Sequence, residues 1–234
     1  MKLLPHAARQ MLRRHFGTVS VDDPRENAAR APYTYFLPSE NELLALAPGD
    51  QVKIIVRSHP PSPEWDAERM WFLVTAASGD NLAGTLENQP SDIPQLRPGA
   101  ALQFHRSDVT DIIWADDRSV PPPGMTPRRE YWDRCLVDQC VLDGEMLVHF
   151  LYREEPDPDT VHDEYRDSGW RIRGDYRNIG DAELDDREVA YVALGAVLNR
   201  DDSWIHLIDA PAGSRFLRDW TSNRFEPLSD DELD

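Results

Sequence analysis

The chain has 234 residues, 40% hydrophobic and 29% charged, with 43 acidic against 25 basic side chains and a formal net charge of −18. That composition belongs to a folded protein of one or, more comfortably, two domains, and it excludes disordered, fibrous and collagen-like chains. The negative field opposes a nucleic-acid backbone, and no segment reaches the roughly 18–20 apolar residues of a bilayer-crossing helix, so a cytoplasmic location away from membrane is expected.

The chain opens with MKLLPHAARQMLRRHFG, which sets Leu3, Leu4, Met11, Leu12 and Phe16 among Lys2, Arg9, Arg13 and Arg14. This is the pattern of a short basic amphipathic helix. Its apolar side is expected to dock on the neighbouring domain, because one short helix carrying Pro5 holds a membrane weakly. Residues 17–32 read as an irregular connector, which makes residues 1–36 a basic N-terminal segment.

Ser39 and Glu42 have the spacing of a capping box, Leu43, Leu44 and Leu46 supply an apolar side, and Pro48-Gly49 ends the helix. Val52, Ile54 and Val56 then alternate as a strand, and Arg69 to Ala76 forms a second, with Met70, Phe72 and Val74 on one face. Gly79-Asp80-Asn81 turns the chain into Leu82–Leu86, Pro98-Gly99 leads to Ala101–Phe104, and Asp108–Trp114 closes the set. Residues 37–114 are thus expected to form one β-rich domain. The three prolines in 115–125 mark a semi-rigid linker.

Beyond it, Thr126-Pro127 offers a helix start. Cys135–Leu142 and Met146–Tyr152 read as strands joined at Asp143-Gly144, a strong hairpin signal. Cys135 and Cys140 are the only cysteines and are expected to be reduced, since their odd spacing along a strand sends them to opposite faces. After an acidic insert, Trp170–Arg173 and Glu188–Val192 read as strands, Leu194–Asn199 as a helical turn or two, and Trp204–Ile208 is apolar. The expected class is α+β: two small β-rich domains, each an antiparallel curled sheet or partial barrel with one or two short helices. The second spans residues 126–220 and is followed by an acidic tail, 221–234.

Two groups of motifs resemble known families. Tyr152-Arg153-Glu154-Glu155-Pro156, Asp167-Ser168-Gly169-Trp170-Arg171, Leu194–Asn199, Asp209-Ala210-Pro211, Gly213-Ser214 and Phe216 resemble a bacterial family, once a domain of unknown function, that is grouped with immunity proteins of polymorphic toxin systems (the immunity protein 33 type). The resemblance covers about residues 130–220. It implies a small α+β protein that binds and neutralises a cognate toxin, without enzyme activity. The insert between Pro156 and Asp167 is longer and more acidic than in the family, so the identity of the partner does not carry over. Glu68-Arg69-Met70-Trp71, Gly79-Asp80, Gly84-Thr85-Leu86, Asn88, Pro90, Ile93-Pro94 and Pro98-Gly99, within residues 40–114, resemble the uncharacterised YegJ-type bacterial domain. That likeness implies a layout and no activity.

The common catalytic spacings are missing: there is no His-Glu-x-x-His, no Cys-x-x-Cys, no Gly-x-Ser-x-Gly and no phosphate-cradling Gly-Lys-Ser/Thr loop. An alternative reading is a housekeeping hydrolase whose site is assembled from dispersed groups, with His149, His162 and Glu155 as acid and base; the competing reading of His149 is a satisfied core histidine. The insert's Asp157, Asp159, Asp163 and Glu164 lack EF-hand spacing, so a solvated loop or a partner-facing patch is favoured over calcium, and no metal or cofactor is expected. The reading that results is a non-catalytic protein-binding module whose partner is a basic toxin domain. Glu154, Glu155, Asp157, Asp159, Asp163 and Glu164 supply an electrostatic rim, and Trp170 and Arg171 supply anchoring contact.

Overall fold

A charge, and not an apolar side, holds the first helix, α1 (His6–Phe16), in place. The structure is a computed structural model of the chain and describes residues 6–61, 65, 67–115, 128–156 and 164–228. Arg13 is 5% exposed. It donates to Asp92 Oδ1 at 2.9 Å, to the Asp92 carbonyl at 2.7 Å and to Ser58 Oγ at 2.8 Å. Gln10, three residues earlier on the same face, donates to Asp92 Oδ1 at 2.7 Å. Met11, Leu12 and Phe16 consequently face outward, and Phe16 is 81% exposed. The expected docking of the apolar side is reversed, while Leu3 and Leu4 lie outside the described residues.

The segment expected to be irregular holds two elements, β1 (Thr18–Asp22) and α2 (Arg25–Arg30). Val19 and Val21 of β1 alternate with period two and pack on a core, and Asp22 pairs with Arg57 at 2.6 Å. Next comes α3 (Glu40–Ala45), with the Ser39–Glu42 capping box formed in both directions. Arg106 donates to the Leu43 and Leu46 carbonyls at its C-terminal end, at 2.5 and 3.1 Å.

The strands β2 (Gln51–His59), β3 (Ala67–Ser78), β4 (Asn81–Leu86), β5 (Ala101–His105) and β6 (Val109–Ile113) follow, all where the alternation places them. The antiparallel order is β1-β2-β3-β4-β5, with β6 returning to pair with β2. Along β2, Gln51–Ile54 pair with β6 and Ile55–His59 with β1. One long strand thereby bends the sheet until it is nearly closed around Val52, Ile54, Val56, Met70, Phe72 and Val74, all fully buried. These elements belong to the first of two units, Met1–Ala29 with Tyr35–Pro127. The proposed linker, apart from Ala115, lies outside the described residues, as do Thr126 and Pro127.

The second unit comprises Arg30–Thr34 and Arg128–Asp234. Its elements are β7 (Arg134–Asp138), α4 (Gln139–Leu142), β8 (Val148–Arg153), β9 (Asp167–Gly174), α5 (Asp181–Asp185), β10 (Val189–Ala193), α6 (Leu194–Leu198), a 3-10 turn at Ile205–Leu207, β11 (Arg215–Asp219) and β12 (Arg224–Pro227). The sheet order is β10-β7-β9-β8-β11-β12.

Here the expected β7–β8 hairpin is corrected. Gln139–Leu142 form a helical turn that Gly144 (φ +77°) closes, and β9 lies between β7 and β8, parallel to the first and antiparallel to the second. Asp138 locks that arrangement. Its fully buried carboxylate accepts from Gly174 N at 3.0 Å and from Arg187 at 3.1 Å, and pairs with Arg173 at 2.8 Å. The second sheet is therefore mixed, and the α+β, two-unit, β-rich class holds.

Both cysteines are free. Cys135 is buried in β7, which pushes its thiol pKa up, and Cys140 sits in α4. Within the stretch expected to be an acidic tail, β12 completes the sheet and Phe225 enters the core, while residues 229–234 lie outside the described residues.

Residues 30–34 dock on the second unit through specific bonds. Tyr33 N donates to Asn199 Oδ1 at 2.9 Å, the Tyr33 hydroxyl donates to Asp202 at 2.8 Å, and Asn199 Nδ2 donates to Thr34 Oγ1 at 2.7 Å. A Cβ at Gly195 would stand 2.6 Å from the Tyr33 carbonyl, so only glycine lets the segment approach α6. Among the described residues no helix is long and apolar enough to cross a membrane.

Candidate functional site

The two motifs of the second unit interlock where β8 ends and β9 begins. Asp167 opens β9 with its side chain 1% exposed. It accepts from Gly169 N at 3.1 Å and from both terminal nitrogens of Arg171, at 3.0 and 2.9 Å. Ser168 Oγ donates to the Arg134 carbonyl at 2.6 Å and accepts from Trp170 N at 3.2 Å, tying β9 to β7. The register slips between Arg134 and Leu136, so the extra residues form a bulge. Gly169 has φ +79°, and a Cβ there would meet the Glu154 carbonyl at 2.1 Å. From the other motif, Arg153 Nε donates to the Ser168 carbonyl at 2.9 Å and Arg153 Nη1 to the Ala210 carbonyl at 2.6 Å.

Trp170 is the expected site residue that the structure corrects. It is 0% exposed, with its indole N–H donating to the Ile208 carbonyl at 3.2 Å and its ring against Trp204 and Phe216. Its place on β9 is set by pleat alternation with Ile172, which points into the same core. A side chain so enclosed touches no partner and serves as packing.

Arg171 points the opposite way, to the outer face, held by Asp167 and by Glu154 at 2.8 Å. The hydrogen bond with Asp167, the largest influence, raises its pKa further and keeps it charged. Glu154, Glu155 and Glu164 are exposed; Asp157, Asp159 and Asp163 lie outside the described residues. Glu154 is already matched by Arg171, so its charge is partly neutralised.

The outer face of the sheet carries a feature that the sequence reading missed. Cross-strand register sets Phe150 opposite Arg173 and Leu217, and Tyr152 opposite Arg171 and Arg215. Phe150 and Tyr152 stack with centroids 5.4 Å apart and an interplanar angle of 27°. With Arg173, Tyr176, Leu184 and Arg215 they line an open cleft of about 530 Å³. The signal was present in Phe150-Leu151-Tyr152, whose alternation leaves one aromatic face outward when Leu151 points in.

His149 does not meet the groups proposed as its catalytic partners. It is 4% exposed, near the start of β8. Its Nδ1 accepts from Trp220 Nε1 at 2.7 Å, and its ring packs edge-on against Tyr176 at 4.6 Å. Burial holds its pKa below the usual value, opposed by Asp175 and aided by Arg177 and Arg218. Glu155 is exposed beyond the far end of the strand, and His162 lies outside the described residues. The tautomer that accepts the indole proton makes His149 a bonded core histidine.

No curated protein and no solved structure matches the chain. The expected YegJ-type likeness of residues 40–114 gains no support from these comparisons. Residues 135–228, from β7 through β12 and so including every strand of the second sheet, match the family model described as the Immunity protein Imm33 domain.

Proposed function

We propose that this protein is an immunity-type protein that binds and neutralises a cognate toxin through its C-terminal unit, without catalysis. The observation that carries the reading is the match of residues 135–228 to an immunity domain. It is supported by motifs whose residues are spent on shape and not on chemistry: Asp167, Ser168, Gly169 and Trp170 build a bulge and a core contact. The partner is a basic toxin domain. Residues 115–234 hold fourteen basic and twenty-nine acidic side chains, and an anionic field steers a cationic partner. Glu155, Asp157, Asp159, Asp163 and Glu164 supply the rim, with Glu154 contributing less because Arg171 holds it.

The test is a pull-down from the native cell with the full chain as bait, followed by stopped-flow binding of the toxin domain it recovers at several salt concentrations. Replacing Glu155, Asp157, Asp159 and Asp163 with their amides should slow association by about tenfold at low salt and flatten its salt dependence, with little change in dissociation. Unchanged association kinetics would remove the acidic rim from the reading, and the absence of any complex would remove the immunity role.

A further inference from the structure

Arg13 and Gln10 take the inner face of α1. At about 3.6 residues per turn, the outer arc of the helix then runs in the order Phe16, Leu12, His15, Met11, Arg14. Phe16, Met11 and Leu12 are 81%, 64% and 45% exposed. They protrude from a convex surface, so they offer points to be inserted and not a seat to be filled. The other flank of the arc is cationic. Arg14 and His15 face the loop Pro94–Ala100 across a groove of about 540 Å³, which Arg97 lines from the loop side. Arg14 and Arg97 also line the adjoining hollow of about 410 Å³, where the acid, Asp92, is buried and bonded to Arg13 and Gln10. Among the described residues the side chains of Arg14 and Arg97 make no hydrogen bond and no ion pair. Two such guanidinium groups on one groove repel each other, an anion between them relieves that repulsion, and a phosphate matches their donor geometry.

The acidity of the chain does not cancel this patch. Residues 1–114 hold eleven basic and fourteen acidic side chains, against fourteen and twenty-nine in residues 115–234. Exposed charges further apart than about 8 Å are largely screened at physiological salt, so a local cluster keeps its own sign.

We propose that α1 and the Pro94–Ala100 loop form a peripheral docking surface for an anionic phospholipid bilayer, with Met11, Leu12 and Phe16 inserted at the headgroup boundary and Arg14 and Arg97 paired to headgroup phosphates. The helix lies in the plane of the membrane and does not cross it. Three apolar side chains and two cations give reversible attachment that depends on anionic lipid. This replaces the expectation of a location away from membrane, which assumed that α1 turns its apolar side inward. A second copy is a poorer occupant, because chains of net charge −18 repel each other, and an acidic peptide leaves the convex apolar points unenclosed. The surface belongs to the first unit and does not rest on the toxin-binding reading of the second.

The experiment is flotation of the full chain with vesicles of phosphatidylcholine alone and of phosphatidylcholine containing about 30% phosphatidylglycerol. The expected result is saturable binding to the anionic vesicles, at least about tenfold tighter than to the neutral ones. Arg14→Gln combined with Arg97→Gln should weaken it by at least about tenfold, Leu12→Ser combined with Phe16→Ser should do the same, and Phe16→Trp should retain it. All four positions are exposed, so urea titrations of the variants should overlay that of the parent, and the lipid preference itself is read on the unaltered chain. Equal binding to the two kinds of vesicle, no binding to either, or binding that survives both double variants overturns the proposal. With no vesicle binding, capture of a soluble acidic, leucine-containing peptide that Phe16→Ser abolishes would assign the surface to a protein partner, and a dimer lost in the same variant would assign it to a second copy; either result also overturns the lipid reading. Toxin binding by the C-terminal unit is a separate measurement that none of these outcomes alters.

Discussion

Gly169 is the residue on which the geometry of the second unit turns. Its φ of +79° lies in the left-handed region, and its missing Cβ leaves room for the Glu154 carbonyl, which lets the backbone bond from Glu154 N to the Gly169 carbonyl close at 2.9 Å. Gly169→Ala should cost at least about 2 kcal/mol in a urea titration, through left-handed strain plus a collision with main chain that cannot rotate away. A cost within error would show that the bulge relaxes freely. His149 gives a different handle. Burial first of all holds its pKa below the usual 6.5, so the unfolded chain takes up a proton at higher pH than the folded one. Its contribution is therefore fully present above about pH 6.5 and is lost as the pH falls toward the lower folded value. The melting midpoint should drop between about pH 7 and about pH 5.5, and His149→Asn should flatten that slope. Asp175 acts in a separate window. The hydrogen bond from Arg177 lowers its pKa to about 2 from 3.8, so its contribution is present above pH 3.8 and disappears below.

At the scale of elements, what the sequence revealed and what it hid separate by range. The Ser39–Glu42 box, the alternation of β2 and β3, and the glycine turn between β3 and β4 are local chemistry, and all form as read. The helix α1 was legible as amphipathic, but its inward face was set by Asp92, 79 residues beyond Arg13. No local pattern carries that pairing. Arg13→Ala should lower stability by about 3 kcal/mol, since it removes the cation from a buried ion pair with Asp92, whereas Leu12→Ala on the exposed arc should be nearly silent in the same chemical denaturation. A mild Arg13 variant would mean that water reaches Asp92. The misread hairpin at Asp143-Gly144 has a similar origin, because the partner that separates β7 from β8 arrives only at Asp167.

Over the whole molecule, charge and motif pointed to binding. The class of fold and the C-terminal family resemblance were readable because Tyr152–Pro156 and Asp167–Arg171 are dense in residues that geometry constrains. The roles inside those motifs were harder to read. Trp170 looked like a contact residue because tryptophan is common in interfaces, yet pleat parity turns it inward and leaves Phe150 and Tyr152 outside. Parity follows from the bulge at Ser168-Gly169, which a string of letters does not show. Residues 30–34 bear on how the protein can be taken apart. The chain lends five residues to its second half before finishing its first, and Asn199 and Asp202 take their bonds from that loan. A gene trimmed at residue 128 would encode a body short of one of its own pieces, and the true module is discontinuous.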